Sequence, residues 1–176
     1  MRCIIMNKNL SKNLIIILLI LSAIFISAGR IQAESNNSED LEKFISTVYN
    51  HYQEQEFQEV YQLLHPAIQE NLTEEKYVNF QQDNTDRYQL KLSEIKIMEI
   101  NSIDNLPSKF NDYLSEDQYQ QAYEAKVEYK MEFRFLGTNQ SREVDTETYL
   151  VENNGQLYLV WDRSVIEEDD PGAGIE

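Results

Sequence analysis

The chain has 176 residues, with 31 acidic against 15 basic side chains, and a formal charge of −16 at neutral pH. Such a surplus of carboxylates excludes nucleic acid as a partner, because phosphate backbones are held by a basic footprint. It also repels anionic lipid headgroups and anionic wall polymers within a screening length of about 8 Å.

Residues 1–33 differ in kind from the rest. Arg2, Lys8 and Lys12 give a basic start, an uncharged Leu- and Ile-rich run extends from Leu14 to Gly29, and Arg30-Ile31-Gln32-Ala33 follows. That layout is a secretory signal, with cleavage expected after Ala33 or, as the second choice, after Ala28. The run is 16 residues, short of the ~20 that span a bilayer, so an uncleaved signal-anchor is the rival reading. Either way the rest is expected outside the cytoplasm, since the positive charges precede the run. Cys3, the one cysteine, lies inside this segment. The exported part therefore has no disulfide, thiolate nucleophile or cysteine metal site. It keeps 11 basic and all 31 acidic residues, a charge of −20.

Residues 34–39 read as a polar linker that runs into a helix capped by Asn37 or Ser38. Leu41, Phe44, Ile45, Val48, Tyr49 and Tyr52 form one apolar stripe, the mark of an amphipathic helix. Gln53 to Glu56 interrupt it, Phe57, Val60, Tyr61 and Leu64 resume it, and Pro66 is expected to stop it. A third helix is expected from Thr73, packing through Tyr77 and Phe80. The period then changes to two. Tyr88, Leu90 and Leu92 alternate, and Ile95 and Ile97 continue on the opposite parity, which places a bulge near Ser93-Glu94. Asn101 to Gln118 read as a long loop. From Tyr123 to Phe135 every odd residue is apolar or aromatic and every even one charged, so one face is core and the other a solvated charge ladder. Gly137-Thr138-Asn139 is expected to turn into a strand around Val144 to Val151. Asn153-Asn154-Gly155 signals a tight hairpin into a last strand through Leu157, Leu159 and Trp161. Residues 167–176 read as an acidic tail. Helices followed by an antiparallel meander indicate an α+β fold with helices on one face of a curved sheet.

The stretch Gly155, Trp161-Asp162, Ser164 and Ile166 resembles the end of the nuclear transport factor 2-like domain that precedes the transpeptidase in low-affinity class B penicillin-binding proteins, the methicillin-resistance type among them. The resemblance covers residues 40–166. It implies that fold, a bacterial cell-envelope setting, and a link to cell-wall synthesis or antibiotic response. Glu167 stands where the family usually has a proline, and the transpeptidase is expected to be absent. The implied module is non-catalytic and binds an envelope protein or a peptidoglycan-related ligand. A pocketed small-molecule binder or isomerase/dehydratase-like enzyme is the alternative, and one half of a split penicillin-binding protein is a third.

The residues themselves point away from catalysis. His51 sits at the edge of the first helical stripe and His65 at a helix end before Pro66; both read as surface or capping side chains, since metal sites need several ligands at suitable spacing. Ser93-Glu94-Ile95-Lys96 matches Ser-x-x-Lys by chance, on a strand and without the partner motifs. Asp162 is the one acid near the sheet end that leaves acid–base chemistry open. Tyr49, Tyr52, Tyr61, Tyr77, Tyr123 and Tyr129 fall on core faces, and Trp161 reads as a sheet-to-helix anchor. Asn36, Asn71 and Asn139 match a glycosylation pattern of little weight in a bacterial chain. No cofactor, metal or catalytic residue is expected.

Overall fold

The computed structural model describes residues 37–168. The chain divides into two units, Met1–Asp40 and Leu41–Glu176. Of the first, only residues 37–40 are described, and they are helical. The expected signal, residues 34–36 of the expected linker and residues 169–176 of the expected tail lie outside the described residues. Residues 37–39 of that linker and residues 167 and 168 of that tail are helical instead.

Helix α1 (residues 37–54) buries Leu41, Ile45, Val48 and Tyr49, with Phe44 and Tyr52 half-buried, as the stripe requires. It stops where Gln55 turns left-handed (φ 60°) and the Glu56 amide donates to the His51 carbonyl at 2.8 Å, a Schellman-type end. Helix α2 (Phe57–Gln62) follows. Pro66 does more than stop it: it opens α3 (Pro66–Asn71), with His65 as N-cap. Proline lacks the amide that a first helical turn leaves unbonded anyway, so it both ends and begins helices. Helix α4 (Glu74–Tyr88) is capped by Thr73, whose hydroxyl accepts from the Lys76 amide, and ends at left-handed Gln89. Tyr88 is therefore the last helical residue and not, as its alternation implied, the first of a strand.

Four antiparallel strands follow in spatial order β1-β2-β3-β4: β1 (Lys91–Ile103), β2 (Gln121–Phe135), β3 (Thr138–Asn153) and β4 (Gln156–Val160). The register of β1 on β2 shifts between Ser93 and Lys96, at Glu94 with φ 53°, which is the expected bulge. A second shift lies at Met98, between Ile97 and Glu99. Both hairpins close with two residues. Asn154-Gly155 joins Asn153 to Gln156, with φ 54° and 76°; primed turns need that conformation, and glycine adopts it without strain. Leu136-Gly137 joins Phe135 to Thr138, so Thr138 and Asn139 already belong to β3, which is longer than its apolar stretch indicated.

The alternation along β2 holds in direction but not along its whole length. Tyr123, Ala125 and Val127 are buried, whereas Tyr129, Met131 and Phe133 are partly covered and Phe135 is half exposed. Pairing keeps the odd β2 residues and the even β3 residues on one face. That face meets α1, where Tyr49 lies 5.9 Å ring to ring from Tyr129. The opposite face is solvated at its far end. At the β3–β4 end it is covered by the segment expected as a loop, whose Leu106, Phe110, Tyr113 and Leu114 are buried and whose Phe110 packs 5.3 Å from Tyr149. Each fully buried side chain of this size stabilises by ~1.5–3 kcal/mol.

Candidate functional site

A cavity of about 370 Å³ lies between the helices and the sheet. Helix α1 supplies Val48, Tyr49 and, one turn on, Tyr52; β2 supplies Tyr129 and Met131. Its rim is built by Glu147 and Tyr149 of β3, by Trp161, Asp162 and Val165 beyond β4, and by Lys109 and Phe110. The last two were not legible as site residues. A signal was present, since Leu106, Phe110, Tyr113 and Leu114 recur at helical spacing inside the supposed loop.

The walls are neutral hydrogen-bonding phenols. Tyr49 shares a 2.7 Å hydrogen bond with the Thr148 hydroxyl, and burial pushes its pKa up to about 12 despite that bond. Tyr52 and Tyr77 join hydroxyl to hydroxyl at 2.7 Å, and burial raises both. The Tyr149 hydroxyl donates to Glu147 Oε2 at 2.5 Å; burial first, and then the Glu147 carboxylate, raise it.

Asp162 has a capping role. Its Oδ1 accepts from the Ser164 hydroxyl (2.6 Å) and amide (3.1 Å), at the start of α5 (Ser164–Glu168). Lys109 Nζ lies 3.4 Å from its Oδ2. Burial alone would raise its carboxyl, but the Ser164 bonds and the Lys109 charge outweigh burial and hold it below its ordinary value. A carboxylate so held is a poor proton acceptor, because a general base works best with a pKa near the operating pH. Trp161 stands edge-on to Tyr77 at 5.0 Å and Phe80 at 5.9 Å, anchoring the end of β4 to α4.

The other sequence candidates lie away from the cavity. His51 Nδ1 is 2.7 Å from Glu56 Oε2 at the end of α1. His65 is a capping residue, as expected, but not a surface one: it is buried and its Nδ1 accepts from the Ala67 amide at 3.2 Å. Its ring meets Tyr158 edge-on at 5.2 Å. Burial lowers its pKa, against a hydrogen bond with the Gln118 backbone and the charge of Glu70. Ser93 and Lys96 straddle the β1 bulge, opposite Lys130 and Glu128. Asn71 and Asn139 are exposed. Of the tyrosines expected in the core, Tyr49, Tyr61, Tyr77 and Tyr123 are buried, and Tyr52 and Tyr129 pack against it.

A second, more open hollow of about 400 Å³ follows the far end of β2, along Tyr88, Met131, Phe133, Phe135 and Arg142. Among the described residues there is no cluster of three histidine, cysteine or acidic side chains able to hold a metal ion. Among them, too, no helix is long and apolar enough to cross a membrane. No protein-family model matches this chain, and no curated protein matches it either.

Proposed function

We propose that the chain is an exported, non-catalytic module of the cell envelope, of the nuclear transport factor 2-like type that precedes the transpeptidase in low-affinity penicillin-binding proteins. It binds an envelope protein or a peptidoglycan-related ligand. The observation that carries this reading is the state of Asp162. In the Trp161-Asp162-x-Ser164 stretch that bears the resemblance, the tryptophan ties β4 to α4 and the aspartate caps α5 in ionised form. The motif thus has a structural use in this chain that needs no chemistry.

A labelled penicillin tests it. Acylation requires a serine activated by a base within hydrogen-bond reach, so purified protein should form no covalent adduct, and Ser93→Ala should change nothing. Stoichiometric labelling at Ser93 overturns the reading. The tyrosine-walled cavity favours the second reading, a small-molecule binder or an isomerase- or dehydratase-like enzyme, since such sites are concave, mostly apolar and carry few polar groups.

A further inference from the structure

We infer that the open edge of β3 is a docking strand for an extended, basic segment of a partner protein. Strand β3 runs for 16 residues, but β4 pairs only with Tyr149 to Asn153. Among the described residues, positions 138–148 therefore have β2 on one side and no strand on the other. Chain geometry ends β4 there, because Trp161 leaves the sheet for α4.

The register tells which backbone groups face that edge. The pair flanking a two-residue hairpin turn exchanges both ladder bonds, and bonding direction then alternates along the strand. Thr138, closing on Phe135, points its groups to β2, while Asn153, closing on Gln156, points its groups to β4. Even residues of β3 thus bond toward β2, and the Glu152 carbonyl accepting from the Gln120 amide at 2.8 Å agrees. Odd residues bond the other way. In the open stretch, Asn139, Ser141, Glu143, Asp145 and Glu147 present their N–H and C=O groups to an incoming strand.

Charge decides the occupant. Glu143, Asp145 and Glu147 share one face at every second position, ~6.7 Å apart, and Glu128 of β2 sits opposite Asp145. The lysines opposite the other two hydrogen-bond to β1, Lys126 donating to Glu99 at 3.0 Å and Lys130 to Glu94 at 3.2 Å. Their charges still reach Glu147 and Glu143, and Glu147 also accepts from the Tyr149 hydroxyl, so the row is partly compensated at its ends and least so at Asp145. A second copy of this chain is a poor occupant. Antiparallel pairing about a two-fold axis that uses all three acids sets carboxylate against carboxylate, or Arg142 against Arg142, and like charges opposite each other destabilise. Lysines or arginines at alternate positions of a partner strand complement the same row, and the chain's charge of −16 steers them in. On the other face, Val144 and Thr146 border Tyr129 and Val127, which suits β-branched residues between the basic ones. Strand addition of this kind takes affinity from the backbone and selectivity from alternate side chains.

The inference rests on the binding-module reading only in taking the partner to be a protein; penicillin acylation would sink that reading and leave the edge measurement standing. The test is fluorescence anisotropy of a labelled Lys-Val-Lys-Val-Lys-Val-Lys peptide on the full-length chain, with amide exchange read in parallel. Saturable binding should slow exchange at Glu143, Asp145 and Glu147, and Asp145→Lys, an exposed change, should weaken it roughly tenfold. Of two peptides methylated on alternate amides, one should lose binding and the other keep it, since only every second amide of an added strand faces β3. Equal binding of both, or binding without slowed exchange at those amides, overturns the docking strand in favour of diffuse charge attraction. No binding at all overturns it outright.

Discussion

His65 shows how much one side chain contributes here. Its ring caps α3 through Nδ1, meets Tyr158 and bonds the Gln118 backbone, so it joins the helices, β4 and the segment before β2. Burial lowers its folded pKa below the ordinary 6.5, so as pH falls the unfolded chain takes up this proton first. Its stabilising contribution is then complete above the unfolded value and is lost as pH falls from there toward the folded pKa. The urea midpoint should drop between about pH 7.5 and about pH 5.5, a range that spans histidine but not carboxylate titration. His65→Asn retains a capping acceptor and should flatten that drop. A drop of the same size in the variant would assign the effect to another group.

At the scale of an element, β2 is the informative case. Its alternation is regular over 13 residues, yet full burial ends after Val127. Tyr129 still meets Tyr49 of α1, but farther on an open hollow lies between Gln81, Asn84 and Tyr88 of α4 and Met131, Phe133 and Phe135. Val127→Asp should cost more than about 3 kcal/mol, since it places an unpaired carboxylate in the core. Phe133→Asp, on the same face but beside the open hollow, should cost no more than about 1 kcal/mol, the loss of partial apolar burial. Thermal or urea denaturation of the two variants measures this directly. Equal losses would mean that helices cover the whole strand.

For the whole molecule, tyrosine is the organising residue. Of eleven tyrosines, seven are held above their ordinary pKa, with burial the first cause in every case. A folded pKa above the unfolded one stabilises the native state below the unfolded value, and that stability is lost as pH rises through it toward the folded one. For Tyr49 that window is from 10 to about 12. Alkaline titration should therefore show tyrosinate absorbance and loss of helical circular dichroism rising together, as one cooperative step. Independent ionisation of all eleven phenols near their ordinary pKa, with the helical signal intact, would contradict this packing.

The amino-acid sequence by itself determined whatever depends on near neighbours along the chain. The stripe from Leu41 to Tyr52, the change of period, the bulge at Glu94 and the Asn154-Gly155 hairpin were all legible, because periodicity and turn chemistry are local. The same holds for the absence of cysteine from the described residues and for the acidic balance. Tertiary structure decided what covers each face and where the cover ends. Pro66 opens a helix as well as closing one only because His65 is held to cap it. Phe110 and Tyr113 are core residues only because β4 is short and the sheet's second face needs a lid at that end. Asp162 is withdrawn from acid–base use first by Ser164, two positions on and legible as a local cap, and then by Lys109, 53 positions away in the chain, a contact that no local pattern announces. The edge of β3 is open because β4 has five residues and β3 has sixteen; a pattern says which face a residue prefers, but only packing of the whole chain supplies the surface that meets it.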